Sequence, residues 1–235
     1  MRFNKDKILR IFYPYKCEVC GRIVPIEKDY CDCFNEKIRR VSINFCEGCG
    51  KDISKCVCHD SKIILSHITA PFVYSGFIKN YILNYKFNGK KRFHKKLGEE
   101  MAERFTLCYP DVSADIVTFV PVSAKTLSTR GYNQSELLAD VVSEKLSLPV
   151  VPTLIKIRET TAQSKLGSAE RSINLKDALT VIDKADVAGK TVILCDDIKT
   201  TGNTLSICTD LLLGIGAKDV YCLCAAVSEY EKLPF

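Results

Sequence analysis

The chain has 235 residues, 46% of them hydrophobic and 26% charged, with a formal net charge of +6. That length accommodates one medium α/β domain and a small module, since an independently folding core needs only about 100–150 residues. No apolar run reaches the roughly 18 residues that a membrane-spanning helix needs, and a positive charge of this size attracts phosphate, nucleic acid or anionic lipid without choosing among them.

In the first residues, MRFNKDKILRIFYPYKC, Arg10 interrupts the short apolar stretch and no small-residue cleavage site follows. A secretory signal is therefore not expected, and a cytoplasmic location is. Thiols stay reduced there, so 13 cysteines call for a use other than a disulfide framework.

Eight of them form two similar blocks, CEVCGRIVPIEKDYCDC (17–33) and CEGCGKDISKCVC (46–58), each reading C-x-x-C-G, a spacer, then C-x-C. A C-x-x-C-G turn lets two thiolates meet one ion, and two such pairs supply the four soft ligands that tetrahedral Zn²⁺ prefers. The simplest count is two structural zincs, one held by Cys17, Cys20, Cys31 and Cys33 and the other by Cys46, Cys49, Cys56 and Cys58. His59 could replace one thiolate, and pairing could cross between blocks. A segment with so few large apolar groups is expected to depend on metal for its folding, and residues 1–60 are read as a separate zinc-binding module. Cys108, Cys195, Cys208, Cys222 and Cys224 fall at apolar positions and read as core.

From residue 61 to 235 the pattern alternates helices and strands. Apolar spacing predicts helices over 78–87 and 95–108, the latter with Leu97, Met101, Phe105 and Cys108 on one stripe. DIVTFVPV (115–122) reads as a strand buried in a parallel sheet, and a helix follows at 134–146. Then TVILCD (191–196), a helix over 203–214 and VYCLCAAV (220–227) make a strand–helix–strand unit with a right-handed crossover. The expected fold is a doubly wound α/β domain, with ligands at the carboxyl ends of its strands.

At one such end stands Asp196-Asp197-Ile198-Lys199-Thr200-Thr201-Gly202-Asn203-Thr204. Two carboxylates suit the vicinal hydroxyls of a ribose, while backbone N–H groups and threonine hydroxyls at a helix start suit a phosphate. A capped helix after a strand would need only one of these polar residues.

This stretch resembles the phosphoribosyl pyrophosphate signature of type I phosphoribosyltransferases. Nearly the whole chain is similar to the ComF family of competence proteins. The carriers are the paired cysteines, YSGFIKNYILNYKFNGK (74–90), VPVSAKTLSTRGYNQ (120–134), the spacing of Gln163, Arg171 and Asn174, and DDIKTTGNT (196–204). The resemblance implies a type I phosphoribosyltransferase-like parallel sheet with helices on both faces, preceded by the cysteine-rich module. It implies that Asp196 and Asp197 hold the ribose hydroxyls and that Lys199, Thr200, Thr201, Gly202, Asn203 and Thr204 wrap the 5′-phosphate. A second loop after Val122 would bring Arg130 and Lys125 to the pyrophosphate, with Mg²⁺ held largely by the ligand itself. Residues 155–175 match a mobile loop that closes over such a site, with Lys165 and Arg171 as phosphate contacts, and residues 61–95 would form the hood.

The sequence indicates a phosphoribosyl donor and no acceptor. Glutamine-dependent amidotransfer is not expected, because no cysteine follows Met1 and nothing resembles a glutaminase. An accessory role in DNA uptake is the other reading. For it, the basic run Lys86 to Lys96, with interleaved Phe and Tyr85 beside it, has the composition used to bind single-stranded DNA. A third places the zinc module against a competence partner such as a helicase.

Overall fold

The computed structural model describes residues 9–10, 12–17, 21–26, 31, 33–56, 58, 63–87, 93–159, 177–182 and 186–229; for Cys33, Asn35 and Phe87 only the backbone is described. At its centre lies a parallel five-stranded sheet built from β1 (His67–Thr69), β2 (Phe72–Val73), β3 (Ile116–Phe119), β6 (Thr191–Lys199) and β7 (Asp219–Val227). Its order is β1-β7-β6-β3, with β2 pairing further along β7. A two-stranded antiparallel sheet, β4 (Leu154–Lys156) with β5 (Leu179–Val181), stands beside it.

The helices are α1 (Cys33–Lys37), α2 (Gly76–Phe87), α3 (Phe93–Cys108), α4 (Ala124–Arg130), α5 (Gln134–Leu146) and α6 (Asn203–Gly214). Strand alternation sorts the core into two layers. Ile193, Cys195, Tyr221, Leu223 and Ala225 face the cluster made with α2, α3 and α5, whereas Val192, Leu194, Val220, Cys222 and Cys224 face the cluster made with Leu205, Cys208 and Leu212 of α6. Helices thus cover both faces, and the central strands are apolar on both, as a parallel sheet requires. Cys195, Cys208, Cys222 and Cys224 are all buried in these layers, where burial pushes their thiols well up, Cys222 to about 12, so they act as small hydrophobes.

The predicted helices and strands are all present, with differences after Val122 and at the start of the expected 155–175 loop, where Ile155 and Lys156 belong to β4 and pair with β5. Where a loop was expected, residues 124–130 form α4. Ser123 caps it, its side chain accepting from the Thr126 N–H, and Gly131 ends it in the left-handed region.

The strip from residue 39 to 55 is bound to the sheet domain by backbone hydrogen bonds. Val73 N–H donates to Arg39 O at 2.9 Å, Val41 N–H to Pro71 O at 2.9 Å and Ile68 N–H to Glu47 O at 2.9 Å. Buried Arg104 of α3 pins the same strip, donating to Val41 O at 3.1 Å, Ser42 O at 2.7 Å and Thr69 Oγ1 at 2.9 Å. Arg40 forks onto Glu100 with contacts of 2.5 and 3.1 Å. No helix among the described residues is long and apolar enough to cross a membrane.

Candidate functional site

β6 runs its apolar residues through the core and delivers Asp196 and Asp197 at its carboxyl end, beside the end of β3. Asp196 Oδ1 accepts from Ser135 Oγ at 2.9 Å and from the Asp197 N–H at 2.8 Å. Burial and the neighbouring charge of Asp197 still dominate and push the Asp196 carboxyl up to about 7, against the pull of Lys86, the Asp197 N–H and Ser135. Asp197 Oδ2 lies 2.7 Å from Lys86 Nζ at the end of α2. Burial works against the Lys86 ammonium, yet attraction from Asp197 and Asp196 outweighs it and holds its pKa above the usual lysine value.

After the carboxylates the chain turns into α6 through Gly202, whose φ of 89° places it in the left-handed region. Thr200 and Thr201 are exposed, Asn203 and Thr204 half-buried. Lys199 is buried instead: a Cβ built on Gly202 would lie 3.3 Å from Lys199 Cε and 3.6 Å from Ile63 Cγ2. The lysine stem thus packs beneath the turn.

Alongside opens a cavity of about 540 Å³ lined by Lys86, Lys125, Thr126, Arg130, Tyr132 and Glu159 among others. Three cations and several hydroxyls are among its lining groups, and a single carboxylate, Glu159, accepts a hydrogen bond from Ser123 Oγ. Arg130 donates to Gln134 Oε1 at 3.2 Å. The rest of the R-G-Y-N-Q segment is framework. Tyr132 OH donates to Tyr85 O and Tyr85 OH to Gln134 O at 2.7 Å, tying the end of α2 to the start of α5. Asn133 caps α5 through the Ser135 N–H at 3.0 Å and donates to Val120 O at 3.1 Å. This frame presents Lys86 and Ser135 to the two aspartates. Gln163, Lys165, Arg171 and Asn174 lie outside the described residues.

Residues 133–233 match the family model of the phosphoribosyl transferase domain. Along the chain as a whole, Competence protein ComFC of Bacillus subtilis (strain 168) is 28% identical over 225 residues, covering 92% of this chain and 87% of the relative. Competence protein F of Haemophilus influenzae is 25% identical over 230 residues, with 89% and 95% covered. Competence protein ComFC of Streptococcus pneumoniae is 29% identical over 230 residues, with 87% and 96% covered. The chain is similar to these competence proteins over most of its length and of theirs.

The chain repeats one knuckle in its two cysteine blocks. Gly21 N–H donates to Cys17 O at 2.8 Å and Cys17 N–H to Arg22 O at 2.7 Å; in the second block Gly50 N–H donates to Cys46 O at 2.7 Å and Cys46 N–H to Lys51 O at 2.8 Å. The flanking bridges Lys16–Ile23 and Phe45–Asp52 correspond as well. The sulfurs of Cys46, Cys49, Cys56 and Cys58 all lie within 4.8 Å of one another, Cys46 and Cys58 at 3.7 Å. Zn–S bonds of about 2.3 Å at tetrahedral angles put sulfurs roughly 3.8 Å apart, so this cluster fits a metal such as zinc. In the first block Cys17 and Cys31 share a small apolar cluster with Val24 and Tyr15. Cys20, His59 and the side chain of Cys33 lie outside the described residues.

Two aromatic residues of the basic segment are buried and do not face a ligand surface. Tyr85 and Phe93 are core residues, Phe93 stacked on Tyr81 with centroids 3.9 Å apart. Lys96 pairs with Glu100 at 2.7 Å, and Lys95 is exposed. Residues 88–92, with Lys90 and Lys91, lie outside the described residues.

Two contributors were not singled out from the sequence. Ser135 sits just beyond R-G-Y-N-Q and bonds Asp196. Lys86 was only one cation of a basic run, yet it reaches Asp197. A serine just inside a helix that starts at the sheet's carboxyl edge is the signal that could have drawn attention to the first.

Proposed function

We propose that this chain binds phosphoribosyl pyrophosphate with Mg²⁺ and serves natural competence through that site. The supporting observation is the meeting of an aspartate pair, a hydroxyl-rich turn into a helix, and a cation-lined cavity at the carboxyl edge of one parallel sheet. Asp196 and Asp197 would accept from the ribose hydroxyls, and Thr200 to Thr204 would surround the 5′-phosphate at the start of α6. Lys125 and Arg130 would neutralise the diphosphate, and Mg²⁺ would be held mainly by the ligand's own oxygens. The competence role rests on the names of the relatives, which align with most of this chain.

The cluster of Cys46, Cys49, Cys56 and Cys58 is read as a closed structural zinc site, since four thiolates leave no position for water or substrate. The matching knuckle at Cys17 supports a second such site with Cys20, Cys31 and Cys33. Binding of single-stranded DNA along residues 86–96 is the weaker reading, because Tyr85 and Phe93 are committed to the core.

Calorimetry with phosphoribosyl pyrophosphate and Mg²⁺ tests the donor site. Wild type should bind and the Asp196→Ala, Asp197→Ala pair should lose at least about 100-fold in affinity, the loss of two charge-assisted contacts. Equal binding by both proteins, or binding by neither, would overturn the reading.

A further inference from the structure

Lys86 stands where two parts of the site meet. Its ammonium is 2.7 Å from Asp197 Oδ2, and the same side chain forms part of the wall of the cavity with Lys125 and Arg130. Its side chain is 21% exposed, so it is neither a solvated surface lysine nor a sealed core group. The residue before it is held twice: Tyr132 OH donates to the carbonyl of Tyr85, and Tyr85 OH donates to Gln134 O at 2.7 Å. Such bracing is unnecessary for a lysine whose role ends at a surface ion pair, which contributes little to stability.

Asp197 cannot keep a full bond to Lys86 while it accepts from a ribose hydroxyl with the same oxygen. A flexible four-carbon stem lets an ammonium turn toward a second anion without moving the helix. The second anion available along its reach is whatever fills the cation-lined cavity.

Resting on the donor-site reading above, we propose that Lys86 is a diphosphate-binding residue that pairs with Asp197 when the site is empty and turns to the ligand's diphosphate when ribose takes the carboxylate. It is a third cation for the diphosphate, supplied by the helix before the sheet's central strands, beside Lys125 and Arg130 in the lining of the same cavity. In this arrangement the Asp197 carboxylate is oriented before the ligand arrives, and the diphosphate compensates the ammonium afterwards. A ligand lacking the diphosphate would have to break the ion pair without that return.

Two ligands separate this from a purely positioning role. Calorimetry measures phosphoribosyl pyrophosphate with Mg²⁺ and ribose 5-phosphate on wild type, Lys86→Met and Lys86→Arg. The expected result is a loss of about 10- to 100-fold for the diphosphate ligand in K86M, the worth of one charge-assisted contact. Ribose 5-phosphate should bind K86M as well as wild type or better, and K86R should recover most of the lost affinity. If K86M weakens both ligands by the same factor, Lys86 only orients Asp197 and the proposal is overturned. Unchanged binding of the diphosphate ligand overturns it equally. If wild type binds ribose 5-phosphate but not phosphoribosyl pyrophosphate, or binds neither, the donor-site reading itself fails. Should K86M not fold, Lys86→Gln, which removes the charge and keeps a shorter polar side chain, gives the same comparison.

Discussion

Ser135 Oγ donates to Asp196 Oδ1 at 2.9 Å, joining the first turn of α5 to the end of β6. The serine is buried, and its own N–H is used by the Asn133 cap, so its hydroxyl has a fixed direction. It therefore orients the carboxylate that the donor reading places on a ribose hydroxyl. Ser135→Ala should leave the fold intact at a cost of about 1 kcal/mol, the worth of one hydrogen bond. Affinity for phosphoribosyl pyrophosphate should fall by about 5- to 10-fold. Thermal melting and calorimetry on the same samples check both values.

Asp196 also sets a pH dependence. Its folded pKa, near 7, lies above its ordinary value of 3.8, so the folded state holds a proton that the unfolded chain has released between those pH values. Stability from this group is fully present below about pH 4 and declines as pH rises to about 7. Asp196→Asn keeps the acceptor oxygen facing Ser135 and removes the titration. It should raise stability at pH 8 by on the order of 1–3 kcal/mol and change it little at pH 4. Urea unfolding at the two pH values measures the difference; an equal shift at both would remove the carboxyl titration as its cause.

The sequence made β6 and its loop readable because an apolar run followed by two carboxylates is a local pattern, and the paired cysteines were readable for the same reason. What surrounds that loop was not local. Lys86 and Ser135 meet the aspartates across 111 and 61 positions of chain. Their roles follow from the packing of α2 and α5, which single-sequence periodicity does not encode. The helix at 124–130 escaped because its stripe of apolar residues is short, although the Ser123 cap was there to read. Composition offered Tyr85 and Phe93 as base-stacking residues for the accessory reading, whereas helical packing turned both inward.

Glu159 carries a separate consequence for the cavity. Its carboxylate shares the wall with Lys125 and Arg130 and is held by Ser123 Oγ. A diphosphate entering there meets like charge, which opposes binding. Glu159→Gln removes that repulsion and retains an acceptor for Ser123. Affinity for phosphoribosyl pyrophosphate should rise by about 3- to 10-fold at low salt, and the gain should shrink as salt is added. Titration at two ionic strengths reads both effects.

The repeated cysteine knuckle allows one block to serve as the control for the other. Gly21 and Gly50 occupy equivalent positions, at φ of 70° and 73°, so an added Cβ incurs the same left-handed backbone penalty of about 1–2 kcal/mol in each. Their surroundings differ. A Cβ on Gly21 would meet nothing within 4 Å, whereas one on Gly50 would lie 3.0 Å from Val227 Cγ1 and 3.4 Å from Ile68 Cγ1. The second knuckle is thus pressed onto β1 and β7 of the central sheet. Gly50→Ala adds overpacking to backbone strain, about 1–3 kcal/mol more. Converted at roughly 2–4 °C per kcal/mol for a chain of this size, the extra term lowers the melting temperature of G50A below that of G21A by about 2–12 °C. Differential scanning calorimetry of the two variants, each loaded with zinc, measures it. Equal melting temperatures would mean that the second knuckle does not bear on the sheet in solution.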